Sequence, residues 1–136
     1  MARYPGKVLE GTGRPMLPVH VELPATGFSH VEEFLVDSSA GNTVLNARPL
    51  GIDPRTLGPR YKGGISGIGG TIDAWIVASA VLRLQSDVGM ITDVTPRLLL
   101  AISDEFAPHL LGRSVLIERR LKMVFDPARR DFYLRR

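Results

Sequence analysis

Asp37 is the residue of this chain best placed to do chemistry. It follows the apolar run Phe34-Leu35-Val36 and opens the turn Ser38-Ser39-Ala40-Gly41-Asn42. A carboxylate there is partly desolvated and faces backbone N–H and hydroxyl donors that can hold it. The plain alternative is a turn former, because Asp readily hydrogen-bonds its own backbone after a strand. Other chemistries have less support. The chain has no Cys, which excludes a disulfide scaffold, a thiol nucleophile and a Cys-ligated metal. His20, His30 and His109 do not pair at metal-ligand spacing, so no metal site is expected. Gly64-Ile65-Ser66-Gly67-Ile68 fails the nucleophile-elbow pattern at its last position. The glycine cluster around it lacks the Gly-Lys-Ser/Thr of a phosphate loop and fails Gly-x-Gly-x-x-Gly at Ile72.

The elements that must position Asp37 are short strands. Residues 17–23 alternate, with Val19, Val21 and Leu23 against His20 and Glu22, and read as a half-buried strand with His20 facing solvent. Pro24-Ala-Thr-Gly27 turns the chain into a second strand over 31–36, giving a hairpin that runs straight into Asp37. A further strand emerges at 43–45. Pro49, Gly51, Pro54, Gly58 and Pro59 exclude a long helix over 46–60. Gly63 to Gly70 holds five glycines, the composition of a pliable hairpin tip. A strand is expected from Thr71 through Leu84, and one or two more between Met90 and Ile102. One helix is expected, from Arg113 to Leu121, then two short strands at 122–125 and 131–134 joined by a turn at Asp126-Pro127.

Composition sets the frame for these elements. A chain of 136 residues suits one domain spanning 1–136, with residues 1–14 a candidate flexible segment. It is long enough to bury a core without a staple. There is no run of about 18 apolar residues and no apolar signal core at the start, so the reading is a soluble, cytoplasmic chain without membrane contact. Charge is uneven: residues 113–136 carry eight Lys/Arg and three Asp/Glu, whereas residues 1–112 carry nine and eleven. The basic residues interleave with apolar ones, as on a solvated rim, and a nucleic-acid partner is not favoured.

Three stretches together resemble the retropepsin-like aspartic proteases. Phe34-Leu-Val-Asp37-Ser-Ser-Ala-Gly-Asn-Thr-Val-Leu45 is similar to that family's active-site segment. Ile65-Ser-Gly-Ile-Gly-Gly-Thr-Ile72 resembles its glycine-rich flap, and Leu110-Leu-Gly-Arg-Ser-Val-Leu116 its third signature. The order matches over about residues 17–134, and the C-terminal Val124-Phe-Asp-Pro-Ala-Arg-Arg-Asp-Phe-Tyr-Leu134 is similar to the endings of bacterial members. The family's third active-site position is Gly, and here it is Ser39.

The resemblance implies a mostly β chain folded as a closed β-barrel, the acid-protease single lobe, with one short C-terminal helix. It implies Asp37 as the catalytic carboxylate, supported by Ser38, Ser39, Ala40 and Arg113, with Ser38 acting through its hydroxyl. Ile65, Ser66, Gly67, Ile68, Gly69 and Gly70 become the substrate-binding flap. One active-site segment supplies only half of a carboxylate pair, so the implied enzyme is a homodimer acting on a peptide or protein, without cofactor or metal. Two other readings stay open. One is a catalytically silent dimerisation or peptide-binding module, motivated by Ser39. The other, ranked last, is a nucleic-acid-binding β domain using Arg119, Arg120, Arg129 and Arg130.

Overall fold

Alternation along the first long strand becomes burial on one face. In the computed structural model, which describes residues 2–67, 70–77, 79–94, 97–104, 106–126 and 128–136, Leu17, Val19, Val21 and Leu23 are all buried, while Pro18 is exposed and His20 and Glu22 are half-buried. The chain begins with β1 (Arg3–Pro5), β2 (Lys7–Val8), β3 (Pro15–Leu23) and β4 (Phe28–Val36). β3 and β4 form the expected hairpin, in register from Met16–Leu35 to Leu23–Phe28. Its turn closes on Gly27 at φ +73°, a conformation that glycine adopts without strain.

After the Asp37 turn come β5 (Thr43–Asn46), a 3₁₀ turn at Pro54–Thr56, β6 (Ile65–Gly67) and β7 (Gly70–Ile72). β8 (Ala74–Val77), β9 (Val81–Gln85), β10 (Ile91–Val94), β11 (Leu98–Ala101) and β12 (His109–Leu111) follow. The chain ends with α1 (Arg113–Glu118), β13 (Lys122–Asp126) and β14 (Asp131–Arg135). Among the described residues the fold is mostly β, with one short helix, and no helix is long and apolar enough to cross a membrane.

A nine-stranded sheet runs in the order β10-β9-β3-β4-β12-β5-β11-β8, with β2 added on β3. Among the described residues the sheet curls into a half-barrel whose two ends do not pair. Two layers of apolar side chains hold it. Leu98 and Leu100 of β11 join Leu17, Phe34, Val36, Leu45, Leu111 and Val115 in the main core. Leu99 and Ala101, from the other face of the same strand, join Val44 and Ala74 in a second cluster. β11 is therefore covered on both faces, which is why Leu98 to Ala101 reads as an unbroken apolar run.

The structure departs from the sequence expectations in three places. Residues 3–5 and 7–8, which the sequence pattern gave no element, are strand, and Tyr4 is buried with its hydroxyl 2.6 Å from the Thr92 hydroxyl. The strand expected from Thr71 through Leu84 is divided among β7, β8 and β9, because β7 pairs with β6, β8 completes β11 and β9 completes β3. One straight strand cannot reach all three partners. The helix stops at Glu118, three residues early. Arg120 turns left-handed at φ +53°, and the Leu121 N–H returns to the Leu116 carbonyl, which buries Leu121.

Candidate active site

Asp37 stands where three strands converge. β12 lies parallel to β4, pairing His109–Phe34, Leu110–Leu35 and Leu111–Val36, and antiparallel to β5. The Asp37 N–H donates to the Leu111 carbonyl at 3.0 Å, so the end of β12 fixes the backbone of the carboxylate-bearing residue. The turn then folds onto the carboxylate. Both the N–H and the hydroxyl of Ser39 donate to Asp37 Oδ1, at 3.0 and 2.6 Å, while Oδ2 has no hydrogen-bond partner among the described residues. The hydroxyl that meets Asp37 is therefore Ser39's. Ser38 is exposed and accepts a bond on its carbonyl from Arg113 Nη1 at 3.4 Å. The reason is local: an Asp carboxylate reaches the backbone two residues on, not one.

The third motif underpins this turn. The Arg113 N–H donates to the Ala40 carbonyl at 2.7 Å, and the Ser114 N–H to the Gly41 carbonyl at 3.3 Å. The buried Gly112 N–H donates to the Thr43 hydroxyl at 3.0 Å. The first turn of α1 thus uses its unpaired donors to hold the Asp37 loop.

A cleft of about 510 Å³ opens beside the carboxylate, lined by Asp37, Ser39, Asn42, Tyr61, Ser66 and Leu110 among others. Ile65 and Ser66 of β6 line it, and β6 pairs with β7 in a hairpin, in register Ile65–Ile72, Ser66–Thr71 and Gly67–Gly70. Ile65 and Ile72 root the hairpin on the second apolar cluster with Tyr61 and Leu110. Ile68 and Gly69, expected at the flap tip, lie outside the described residues. The structure thus brings Asp37, Ser39, Ala40, Ile65 and Ser66 to one cleft, with Arg113 behind its floor. Asn42 and Tyr61 were not singled out by the motifs. Arg97 links them, with Nη2 3.5 Å from Asn42 Oδ1 and its guanidinium 5.4 Å from the Tyr61 ring.

A second polar cluster, invisible to motif reading, lies at the far ends of β5 and β12. Asn46 ends β5 at 2% exposure and holds the backbone of Arg48, Ser103, Asp104 and Ala107. Its Nδ2 donates to the carbonyls of Asp104 and Ala107, and its Oδ1 accepts from the N–H groups of Arg48 and Ser103. Its own N–H donates to Nδ1 of the buried His109 at 2.9 Å. The only sequence signal was an Asn closing an otherwise apolar strand. Nδ1 can accept only while the ring is neutral, which leaves Nε2–H toward Glu32, 3.6 Å away. Burial lowers the His109 pKa, outweighing the pull of Glu32.

The sign of the resulting pH effect is definite. The unfolded chain takes up the proton near 6.5 and the folded one only at lower pH. Stability is therefore full above 6.5 and declines as pH falls toward the folded value, by at most about 1.4 kcal/mol per pH unit. Urea unfolding at pH 7 and pH 5.5 should show this decline in the wild type. In His109→Gln it should be smaller. Equal declines would remove His109 as its source.

No protein-family model matches this chain, and neither does any curated protein. Among solved structures, EIAV protease complexed with the inhibitor HBY-793 is similar at 22% identity and a TM-score of 0.51. The match covers 86% of this chain and 98% of that one. The fold is similar to that of a retroviral protease. At this identity the likeness speaks for the fold alone.

Proposed function

We propose that the chain is an aspartic endopeptidase of the retropepsin-like type, with a bacterial-type C-terminal segment, working as a homodimer. The observation that carries this reading is the open Oδ2 of Asp37, a residue that lines one cleft together with Ile65 and Ser66 of the β6–β7 hairpin. Two copies would face two Asp37 carboxylates across a two-fold axis. Close like charges share one proton, so the pair titrates in two macroscopic steps. One carboxylate takes a proton from a held water while the other donates to the scissile carbonyl, and the roles then reverse. The flap, including Ile68 and Gly69, would close on an extended peptide and exclude water, with Ser66 and Gly67 facing its backbone. Arg113 would be structural. The mechanism requires neither cofactor nor metal.

The test is cleavage of an unstructured protein at mildly acidic pH by the wild type and by Asp37→Asn. Equal rates would overturn the proposal.

One observation favours a second reading, a peptide-binding module without turnover. The Ser39 hydroxyl lies 2.6 Å from Asp37 Oδ1 and occupies a lone pair that the family's Gly would leave free. Ser39→Gly keeps the backbone bond and removes the hydroxyl. If Ser39 is the lesion, the wild type should bind peptides without cleaving them, and Ser39→Gly should cleave, at least about tenfold above background. Cleavage by the wild type at the same rate as Ser39→Gly would dismiss that reading.

A further inference from the structure

A cation stands at the edge of the Asp37 cleft. Among the described residues that line the cleft, Asp37 alone carries a formal charge. Arg97 is exposed and touches two of the lining residues, Asn42 and Tyr61. The sheet sets this position. β11 runs parallel to β5, with Leu98 opposite Thr43, so the residues one step earlier, Arg97 and Asn42, fall side by side. Tyr61 is fixed independently. Its N–H donates to the Ala74 carbonyl at 2.7 Å, and it packs on the cluster of Val44, Ala74, Leu99 and Ala101. Arg97 Nη2 donates to Asn42 Oδ1 at 3.5 Å, and the guanidinium carbon lies 5.4 Å from the Tyr61 ring centroid, within the reach of cation–π attraction.

These contacts orient the guanidinium and leave its charge unmatched. Of its N–H donors the Asn42 amide oxygen takes one, and the Tyr61 ring meets the cation without consuming a donor. Among the described residues no carboxylate lies within ion-pair distance of Arg97, whereas Arg60, beside Tyr61 in the chain, is paired with Asp73. A planar cation held in this way is shaped for a carboxylate, which it can meet with two parallel N–H bonds.

We infer that Arg97 is a specificity residue, which selects an acidic side chain, Glu or Asp, of an extended peptide on the Asn42–Tyr61 side of the Asp37 carboxylate. The inference rests on the reading of this cleft as a peptide site. The selection is local. Elsewhere in the cleft an acidic side chain meets only the like charge of Asp37, and at this edge it meets Arg97. A basic side chain at the same position faces Arg97 as a like charge, so repulsion sharpens the choice as much as attraction does.

The test is a library of randomised synthetic peptides at about pH 6, where Glu and Lys side chains are both ionised. Wild-type cleavage sites should show Glu or Asp enriched at a fixed offset from the scissile bond. In a matched set with Glu, Gln or Lys at that offset, Glu should be cut about fivefold better than Gln in kcat/KM at low salt, the scale of one partly screened ion pair. Arg97→Gln should abolish the preference and Arg97→Glu should turn it toward Lys, both with an unchanged far-UV spectrum. Labelled acidic, neutral and basic pools of the library are also titrated into Asp37→Asn, with and without Arg97→Glu, so that fluorescence anisotropy reads selection without turnover. Cleavage with no acidic preference, or with one that Arg97→Glu leaves in place, overturns the inference and leaves the protease reading standing. Arg97-dependent binding of the acidic pool without Asp37-dependent cleavage upholds the inference and overturns the protease reading. Neither cleavage nor binding of any pool overturns both.

Discussion

Asp37→Asn should lower peptide hydrolysis by at least about a thousandfold and leave the fold intact. The substitution changes almost no volume. Asn Oδ1 can still accept the Ser39 N–H and hydroxyl, which now sit at 3.0 and 2.6 Å from Asp37 Oδ1. The Asp37 N–H still meets the Leu111 carbonyl. What disappears is the group that can take a proton from water and return it. The change falls at Oδ2, which bonds nothing within the described chain. Stability should therefore move by no more than about 0.5 kcal/mol, the range for a substitution that disturbs no buried contact. Peptide release and thermal melting, measured on one preparation, check both halves. A variant that loses activity and melts many degrees lower would show that Asp37 holds the turn and would withdraw the catalytic argument.

Gly112→Ala should cost about 3 kcal/mol, at the upper end for overpacking, and with it the geometry of the Asp37 loop. The backbone of Gly112, at φ −88° and ψ 173°, is open to any residue, so the requirement is space. An added Cβ would overlap the Asn42 carbonyl oxygen, sit 2.5 Å from its carbon and 3.0 Å from the Ala40 oxygen. These are backbone atoms on both sides of Gly41, and they cannot swing away as a side chain could. The shift would also pull Gly112 from Thr43 and Arg113 from Ala40. Gly41→Ala is the internal control, because its Cβ would meet only Arg113 Nη2, at an ordinary 3.7 Å. Chemical denaturation of the two variants should differ by about 2 kcal/mol or more. Equal stabilities would mean that the α1 entry yields readily and that the third motif is not the rigid support of the loop.

The local features of the site were legible where they depend on neighbours in the chain. Alternation in residues 17–23 and the apolar run before Asp37 set two strands and the turn between them, because a strand's burial pattern has period two. Glycine density marked the 63–70 hairpin, and Leu110-Leu-Gly-Arg marked the strand-to-helix entry. Reading failed where an outcome depends on distant partners. The continuous apolar stretch through Leu84 gave no sign of dividing between β11 and β3. The amphipathic pattern to Leu121 gave no sign that Arg120 would turn left-handed and end the helix.

By itself, the sequence determined that this chain is a β protein carrying one carboxylate turn, one glycine hairpin and one Gly-Arg support, in that order. Only the tertiary structure decided that Asn46 and His109 bond one another in the interior and that Gly112 and Arg113 hold the Asp37 loop. Motifs and periodicity record what adjacent residues can do. Hydrogen bonds between residues tens of positions apart, such as those from Asn46 to His109 and from Gly112 to Thr43, are set by which strands the sheet brings side by side.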